Sequence, residues 1–356
     1  MTATEIAEGV FRGLGASGAA GETLRYLAVP DRGEVRWLLP AGKTQIDAVL
    51  ANWTPYRLGS RLGWAAARAA TRIGCMDVLP GVAEVDVAGP SRAEWESVAW
   101  RWGGNPLAVI YVGTPCARRK AVVHLVEAES GKCRAVVKVP LAEQAKDAIL
   151  HEAEVLGALE GERMERVPRL LHVDRERAVT AQTFVEGRSG SRRLGPEHWR
   201  LLRSLLLPGE TTSLSAHAEE LRRGAAIAGS AAERLQDDTS LPACWEHGDF
   251  APWNVRLQAD DACILLDWEQ ARRNGLPLMD AFHFLHLQDF LFGERPRLYW
   301  ATVQAEAAEL GIEPSAIRGL EMAYLMRASA ECACERNERR LGFVQAALRQ
   351  FERKAA

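Results

Sequence analysis

His247-Gly248-Asp249-Phe250-Ala251-Pro252-Trp253-Asn254 puts an aspartate and an asparagine five positions apart on one short stretch. Asp267-Trp268-Glu269 follows thirteen positions past Asn254, directly after the apolar run Cys263-Ile264-Leu265-Leu266. These residue types suit phosphoryl transfer, which needs little covalent help from a protein. It needs an acceptor hydroxyl held in line and cations that neutralise phosphate charge. Asp249 can accept or orient the hydroxyl proton. Asn254 can offer a neutral carbonyl oxygen to a magnesium ion, and Asp267, at a strand end, a charged one. Mg²⁺ is satisfied by one or two carboxylates together with phosphate oxygens.

Lys138 stands in the middle of the apolar strand Ala135-Val136-Val137-Lys138-Val139. A lysine there is costly to bury unless something anionic meets its ammonium. Nucleotide phosphates and a helix carboxylate would both serve. Glu152, in the following helix, is the expected carboxylate. Its rival Glu154 lies about 200° further round the helix, so only one of the two can face the sheet.

The elements that position these groups are legible in outline. Arg25–Val29 and Glu34–Leu39 read as strands around a Pro-Asp-Arg-Gly turn. Thr44 with Asp47 marks a helix start, Leu58–Ile73 reads as a helix, and Ser91 with Glu94 forms a capping box opening a helix through Trp100. After the breaker Gly103-Gly104-Asn105-Pro106 the period changes. Leu107–Val112, Ala121–Glu127 and Arg134–Val139 read as an antiparallel meander, Glu143–Leu159 as a helix, and Leu170–Val173 and Ala178–Val185 as two further strands. Beyond Glu186–Gly190 the chain reads as helical, except for a β-rich patch over residues 253–266. The class is α+β: a five-stranded antiparallel lobe with one helix, then a helical lobe, preceded by an extra N-terminal α/β unit. The expected boundaries are 1–104 for the accessory unit, 105–187 for the nucleotide-binding lobe and 188–356 for the catalytic and acceptor-binding lobe.

Together these segments resemble the aminoglycoside phosphotransferase and choline-kinase-like family, over roughly Leu107 to Leu287. The resemblance implies a protein-kinase-like bilobal fold, ATP (or GTP) and Mg²⁺ as cofactors, and transfer of the γ-phosphate to a small-molecule hydroxyl. By position it implies Asp249 as catalytic base or orienter, Asn254 and Asp267 as metal ligands, and Lys138 on the nucleotide phosphates with Glu152 fixing it. It makes Gly113 and Thr114 the loop over the phosphates, and Phe184, Val185 and Glu186 the hinge that meets the adenine through backbone groups. The glycine-rich loop of protein kinases is absent here, since Gly113-Thr114-Pro115-Cys116-Ala117 has one glycine.

Other residues have plainer expected duties. His247 braces the loop, Asp280 starts a helix and pins the loop, and His283 and His286 line a core or pocket wall. Glu269 braces a loop, Arg272 and Arg273 lie on a solvated face, and Glu331, Glu335 and Glu338 could face a cationic acceptor. Acids exceed bases by three, which gives no electrostatic case for nucleic acid or an anionic membrane. No apolar run reaches spanning length and the N-terminus has no secretory pattern, so the cytoplasm is expected. Two alternatives stay open on the residues: a catalytically silent nucleotide-binding module that recruits a partner, and nucleotidyl transfer on the same fold.

Overall fold

A computed structural model of the chain describes residues 1–16, 22–31, 33–56, 58–91, 94–95, 106–228, 238–259, 262–293 and 299–355. It divides into two units. The first is Met1–Ser189 with Arg256–Ala259 and Ile264–Glu269, and the second is Gly190–Val255, Asp260–Cys263 and Gln270–Ala356.

The first unit runs α1 (Ala3–Gly13), β1 (Thr23–Asp31), β2 (Glu34–Pro40), α2 (Asp47–Ala51), α3 (Leu58–Arg72), β3 (Ala83–Ala88), β4 (Leu107–Val112), β5 (Lys120–Val126), β6 (Cys133–Pro140), α4 (Glu143–Gly161), β7 (Leu170–Asp174) and β8 (Val179–Thr183). The strands form one sheet in the order β3-β1-β2-β4-β5-β6-β8-β7. The expected five strands are therefore part of an eight-stranded sheet. The cause is the apolar end of β2, where Trp37 pairs with Tyr111 and Leu38 with Ile110 of β4. Trp37 and Leu38 are buried and need a neighbour on the β4 side. The expected boundary at residue 104 and the helix through Trp100 lie outside the described residues, although the capping box of Ser91 and Glu94 is present.

Each sheet face has its own cover. Ile6, Val10 and Phe11 of α1 pack on Tyr26, Ala28, Ile110, Val123 and Val137. Val49 and Leu50 of α2 and Ala67 and Ala70 of α3 pack on Trp37, Leu39, Val109 and Val126. Each large apolar side chain removed from water in this way contributes roughly 1.5–3 kcal/mol. Asp47 does not cap α2 through its side chain. Its carboxylate instead holds Arg68 at 3.0 Å and Arg72 at 2.8 Å on α3. A small second sheet joins β9 (Arg188–Ser189), β12 (Val255–Leu257) and β13 (Cys263–Leu265), with Arg256 opposite Ser189.

The second unit contains α5 (Pro196–Ser204), β10 (Leu206–Thr212), α6 (Ala218–Ala228), β11 (Leu241–Glu246), β14 (Arg272–Gly275), α7 (Met279–Phe292), α8 (Tyr299–Glu309), α9 (Pro314–Cys334) and α10 (Glu338–Ala355). Its centre is α9, which is buried nearly all round and packs with Trp199, Leu221, Phe282, Leu285 and Val344 in one apolar cluster. The helical expectation misses the antiparallel sheet β10-β11-β14. β10 carries the breaker pair Pro208-Gly209 and an irregular register. β11 is buried almost continuously, so it lacks the alternation that marks a half-buried strand. The α+β class, with an antiparallel sheet unit before a helix-rich one, is as expected. No helix among the described residues is long and apolar enough to cross a membrane.

Candidate functional site

The expected site residues fall into two groups, one in each unit. In the first unit they form a charged cluster. β5 and β6 pair so that Val122 faces Lys138 and Lys120 faces Pro140, which puts both lysines on one side of the sheet. Lys138 is 4% exposed. Its Nζ lies 2.6 Å from Glu152 Oε2 and also reaches Asp267 Oδ1. Lys120 Nζ lies 2.7 Å from the same Asp267 oxygen and donates to Glu269. Glu152 accepts a further bond, 3.1 Å, from the Trp268 backbone N–H, and the buried Trp268 indole donates to Leu265 O. α4 turns Glu152 inward among Ile149, Ala153 and Leu156, while Glu154 faces Arg175 at the surface.

Burial by itself would raise the Asp267 carboxyl, but Lys120 and Lys138 together hold it well below the usual aspartate range. Glu269 is pushed the other way, first by burial and then by the Asp267 charge. Asp267 has φ 68°, a left-handed backbone that few non-glycine residues adopt. Such conformations cost of order 1–3 kcal/mol and gather where a side chain must be aimed.

The expected phosphate loop is tied down. Gly113 N–H donates to Lys120 O at 2.9 Å, and a Cβ at position 113 would stand 2.9 Å from that oxygen, so the close approach requires glycine. Arg119 Nε donates to Gly113 O, and Thr114 Oγ1 accepts from Arg36 Nη1 at 3.1 Å. Phe184, Val185 and Glu186 follow β8. The Phe184 ring meets His124 edge-on at 5.9 Å, and Glu186 is exposed. Val185 O accepts from Asn52 Nδ2, and Gly187 N–H donates to Asn52 Oδ1, both at 2.9 Å.

In the second unit the loop after β11 presents Asp249. Asn254, at the end of the 3-10 turn Pro252–Asn254, donates from Nδ2 to Asp249 Oδ2 and to Asp249 O, each at 2.9 Å. The other carboxylate oxygen, Oδ1, lies 3.2 Å from His283 Nε2 on α7. His247 is wholly buried, and its Nδ1 accepts from the Asp249 N–H at 3.2 Å. Asp280, in the first turn of α7, accepts from the backbone N–H of His247 at 2.8 Å and of Gly248 at 2.9 Å. Gly248 has φ 82°, and a Cβ there would meet Gln270 O at 2.7 Å. Burial, then the Glu246 charge, raises the Asp280 carboxyl, although His247 and the two backbone donors partly offset this.

Behind the loop lies a small recess lined by Gly248, His283, Tyr324, Arg327, Ala328 and Glu331 with other residues of β11 and α7. Arg327, 3% exposed, is held by Glu246 and by Glu220 Oε1 at 3.0 Å. Arg272 also reaches Glu220, at 2.7 Å, so it is a structural partner and not a residue of a solvated face. Burial raises the Glu331 carboxyl. Glu335 and Glu338 are exposed.

Three residues acquire roles that their sequence positions did not signal. Lys120 follows a turn and needs the β5–β6 register to be seen beside Lys138. Arg327 could have been noticed as one charge in the apolar run Tyr324-Leu325-Met326-Arg327-Ala328. His283, read as a wall residue, also touches the carboxylate of Asp249. Among the described residues no group of three or more His, Cys, Asp or Glu side chains forms a metal site.

Residues 190–320 match the sequence model of the phosphotransferase enzyme family, APH. The resemblance read over roughly Leu107 to Leu287 is borne out where that segment overlaps it, over residues 190–287; the first matched residue is also the first of the second unit. Similar solved structures include choline kinase LicA from Streptococcus pneumoniae, 13% identical, covering 65% of this chain and 89% of that one with a TM-score of 0.47. Another is aminoglycoside phosphotransferase APH(3'')-Id from Streptomyces rimosus, 19% identical, covering 61% and 91% with a TM-score of 0.44. A third is macrolide 2'-phosphotransferase MphH from Brachybacterium faecium, 16% identical, covering 67% and 91% with a TM-score of 0.46. No curated protein matches the sequence.

Proposed function

We propose that the chain, whose residues 190–320 match the phosphotransferase family model, moves the γ-phosphate of ATP to a hydroxyl of a small molecule. The observation that carries this reading is the state of Asp249. Its carboxylate is held by Asn254 on one oxygen and faced by His283 on the other, on a loop whose backbone is pinned by Asp280. A base fixed in this way costs no reorganisation when a hydroxyl arrives.

In the proposed reaction Asp249 takes the acceptor's proton as the acceptor oxygen bonds to the γ-phosphorus. The bond from that phosphorus to the β,γ-bridging oxygen breaks, and the products are a phosphate monoester and ADP. Lys138 is the ligand for the nucleotide phosphates, and Glu152 keeps its ammonium aimed. Lys120 is a second cation of the same kind. Magnesium suits the donors present, because Asp267 is kept ionised by its lysines and Asn254, whose amide nitrogen serves Asp249, has a carbonyl oxygen to offer. Bound to Asp267 and Asn254, it would supply positive charge to the phosphates. The small recess behind the loop, lined by Gly248 and His283, carries the acidic side chain of Glu331, which suits an amine of the acceptor reaching toward it.

The test is ADP release over a panel of aminosugars, sugars and amino alcohols, with Asp249→Ala as control and mass spectrometry of the acceptor. A gain of one phosphate is expected. A gain of AMP would replace the reading with nucleotidyl transfer. Thermal stabilisation by Mg-ATP with no acceptor turning over above the control would leave only a binding module.

A further inference from the structure

The backbone of the hinge is already occupied by a side chain of the same unit. Asn52 closes α2, and its backbone N–H turns back to Ala48 O, which leaves the carboxamide to reach outward. That carboxamide donates from Nδ2 to the C=O of Val185 and accepts at Oδ1 from the N–H of Gly187, both at 2.9 Å. A donor next to an acceptor, read by the C=O of one residue and the N–H two residues on, is the edge that adenine offers with its amino group and adjacent ring nitrogen. Guanine offers the reverse order at that edge.

The covering helices lie on the matching side of the sheet. Trp37 pairs with Tyr111, Tyr111 with Val122, and Val122 with Lys138, so all four side chains project from one face. On that face Trp53 and Trp64 pack on Trp37 with ring centroids 5.9 and 5.4 Å away. The Trp64 indole donates to both Leu50 O and Trp53 O, which fastens the segment that presents Asn52. The face that carries the phosphate lysine is thus also the face covered by α2 and α3.

We propose that Asn52 is a built-in competitor for the nucleotide base: it fills the base-reading edge of Val185 and Gly187, and ATP binds by displacing it. This rests on the phosphotransferase reading both for ATP as the ligand and for the segment after β8 as the hinge that meets its base. Nucleotide affinity is then lowered by the fraction of molecules in which Asn52 has let go. Two neutral hydrogen bonds of ordinary net strength set that factor at about ten-fold or somewhat more.

The experiment is calorimetric titration of the full-length protein with ATP and with inorganic tripolyphosphate, which has the phosphates but no base. Asn52→Ala should bind ATP about ten-fold more tightly than the parent and tripolyphosphate with unchanged affinity. Asn52→Asp, which turns the donor facing Val185 O into an acceptor, should also tighten ATP and serves if the alanine variant unfolds. Unchanged or weaker ATP binding in both variants would overturn the proposal and leave Asn52 a hinge brace. If the parent binds tripolyphosphate but not ATP, and Asn52→Ala restores ATP binding, the proposal holds in its strongest form. If no form of the protein binds either ligand, the phosphotransferase reading itself falls, and the inference with it.

Discussion

The two groups of expected site residues are built on opposite plans. In the first unit Lys120, Lys138, Glu152, Asp267 and Glu269 form a charged cluster whose members are up to 149 positions apart in sequence. Full charges satisfy one another there with little water, so each depends on the rest. In the second unit Asp249 is set mostly by its own loop, through an amide five residues on and a histidine two residues back, with Asp280 and His283 of α7 bracing that loop from one helix. The first plan suits a place that must accept phosphate charge, because the anions there already have cations to share. The second suits a base, whose carboxylate needs orientation while remaining able to take a proton.

The comparison can be broken at several points. The largest effect is expected at Asp249. Asp249→Ala should lower kcat by a factor of about 10²–10⁴, the usual contribution of a positioned base, while nucleotide affinity measured by titration stays close to that of the parent. Equal loss of both would mean that Asp249 is not separable from nucleotide binding.

Lys138→Met comes next. It leaves Glu152 buried without its ammonium, so the unfolding free energy in urea should fall by about 3 kcal/mol, along with ATP use. A variant as stable as the parent would show that the charged cluster is not mutually dependent.

His283→Ala should reduce kcat about ten-fold, near the low end of what is lost when a partner that orients a functional side chain is removed, with KM for ATP unchanged. His283→Gln, which can keep a donor toward Asp249, should recover part of the rate. A shift in KM for ATP alone would count against His283 as a residue that orients the base.

The smallest effect is a pH dependence with opposite signs in the two units. Asp267 is held below its ordinary value, so the stability it contributes is present above the aspartate range and is lost as pH falls through about 4 and below. Glu331 is raised by burial, so its ionisation costs stability as pH rises above the ordinary glutamate range. Glu331→Gln should therefore stabilise the protein near neutrality by under about 1 kcal/mol, and the gain should vanish in acid. A stability difference between Glu331→Gln and the parent that does not change with pH would remove the charge on Glu331 as its cause.

Much of this was legible in the residues alone. The meander β4-β5-β6, the helix that carries Glu152, and the loop from His247 to Asn254 follow from periodicity, turn residues and short-range spacing, which act within a few positions of the chain. The choice of Glu152 over Glu154 follows from the helical repeat. The small sheet β10-β11-β14 was not legible, because β11 is buried on both faces and so loses the alternation that marks a strand, while β10 is interrupted by Pro208-Gly209.

What the amino-acid order determined unaided is the chemistry available: an acid that can take a proton, oxygen donors of the right kind, and a lysine too costly to bury alone. Only the tertiary structure decided which groups share that chemistry. The register of β5 against β6 brought Lys120 beside Lys138. The pairing of β2 with β4 joined the N-terminal strands to the sheet, and the packing of α2 delivered Asn52 to Val185 and Gly187. Each of those depends on contacts between residues far apart in the chain, and such contacts are settled by how apolar faces pack and not by any local pattern.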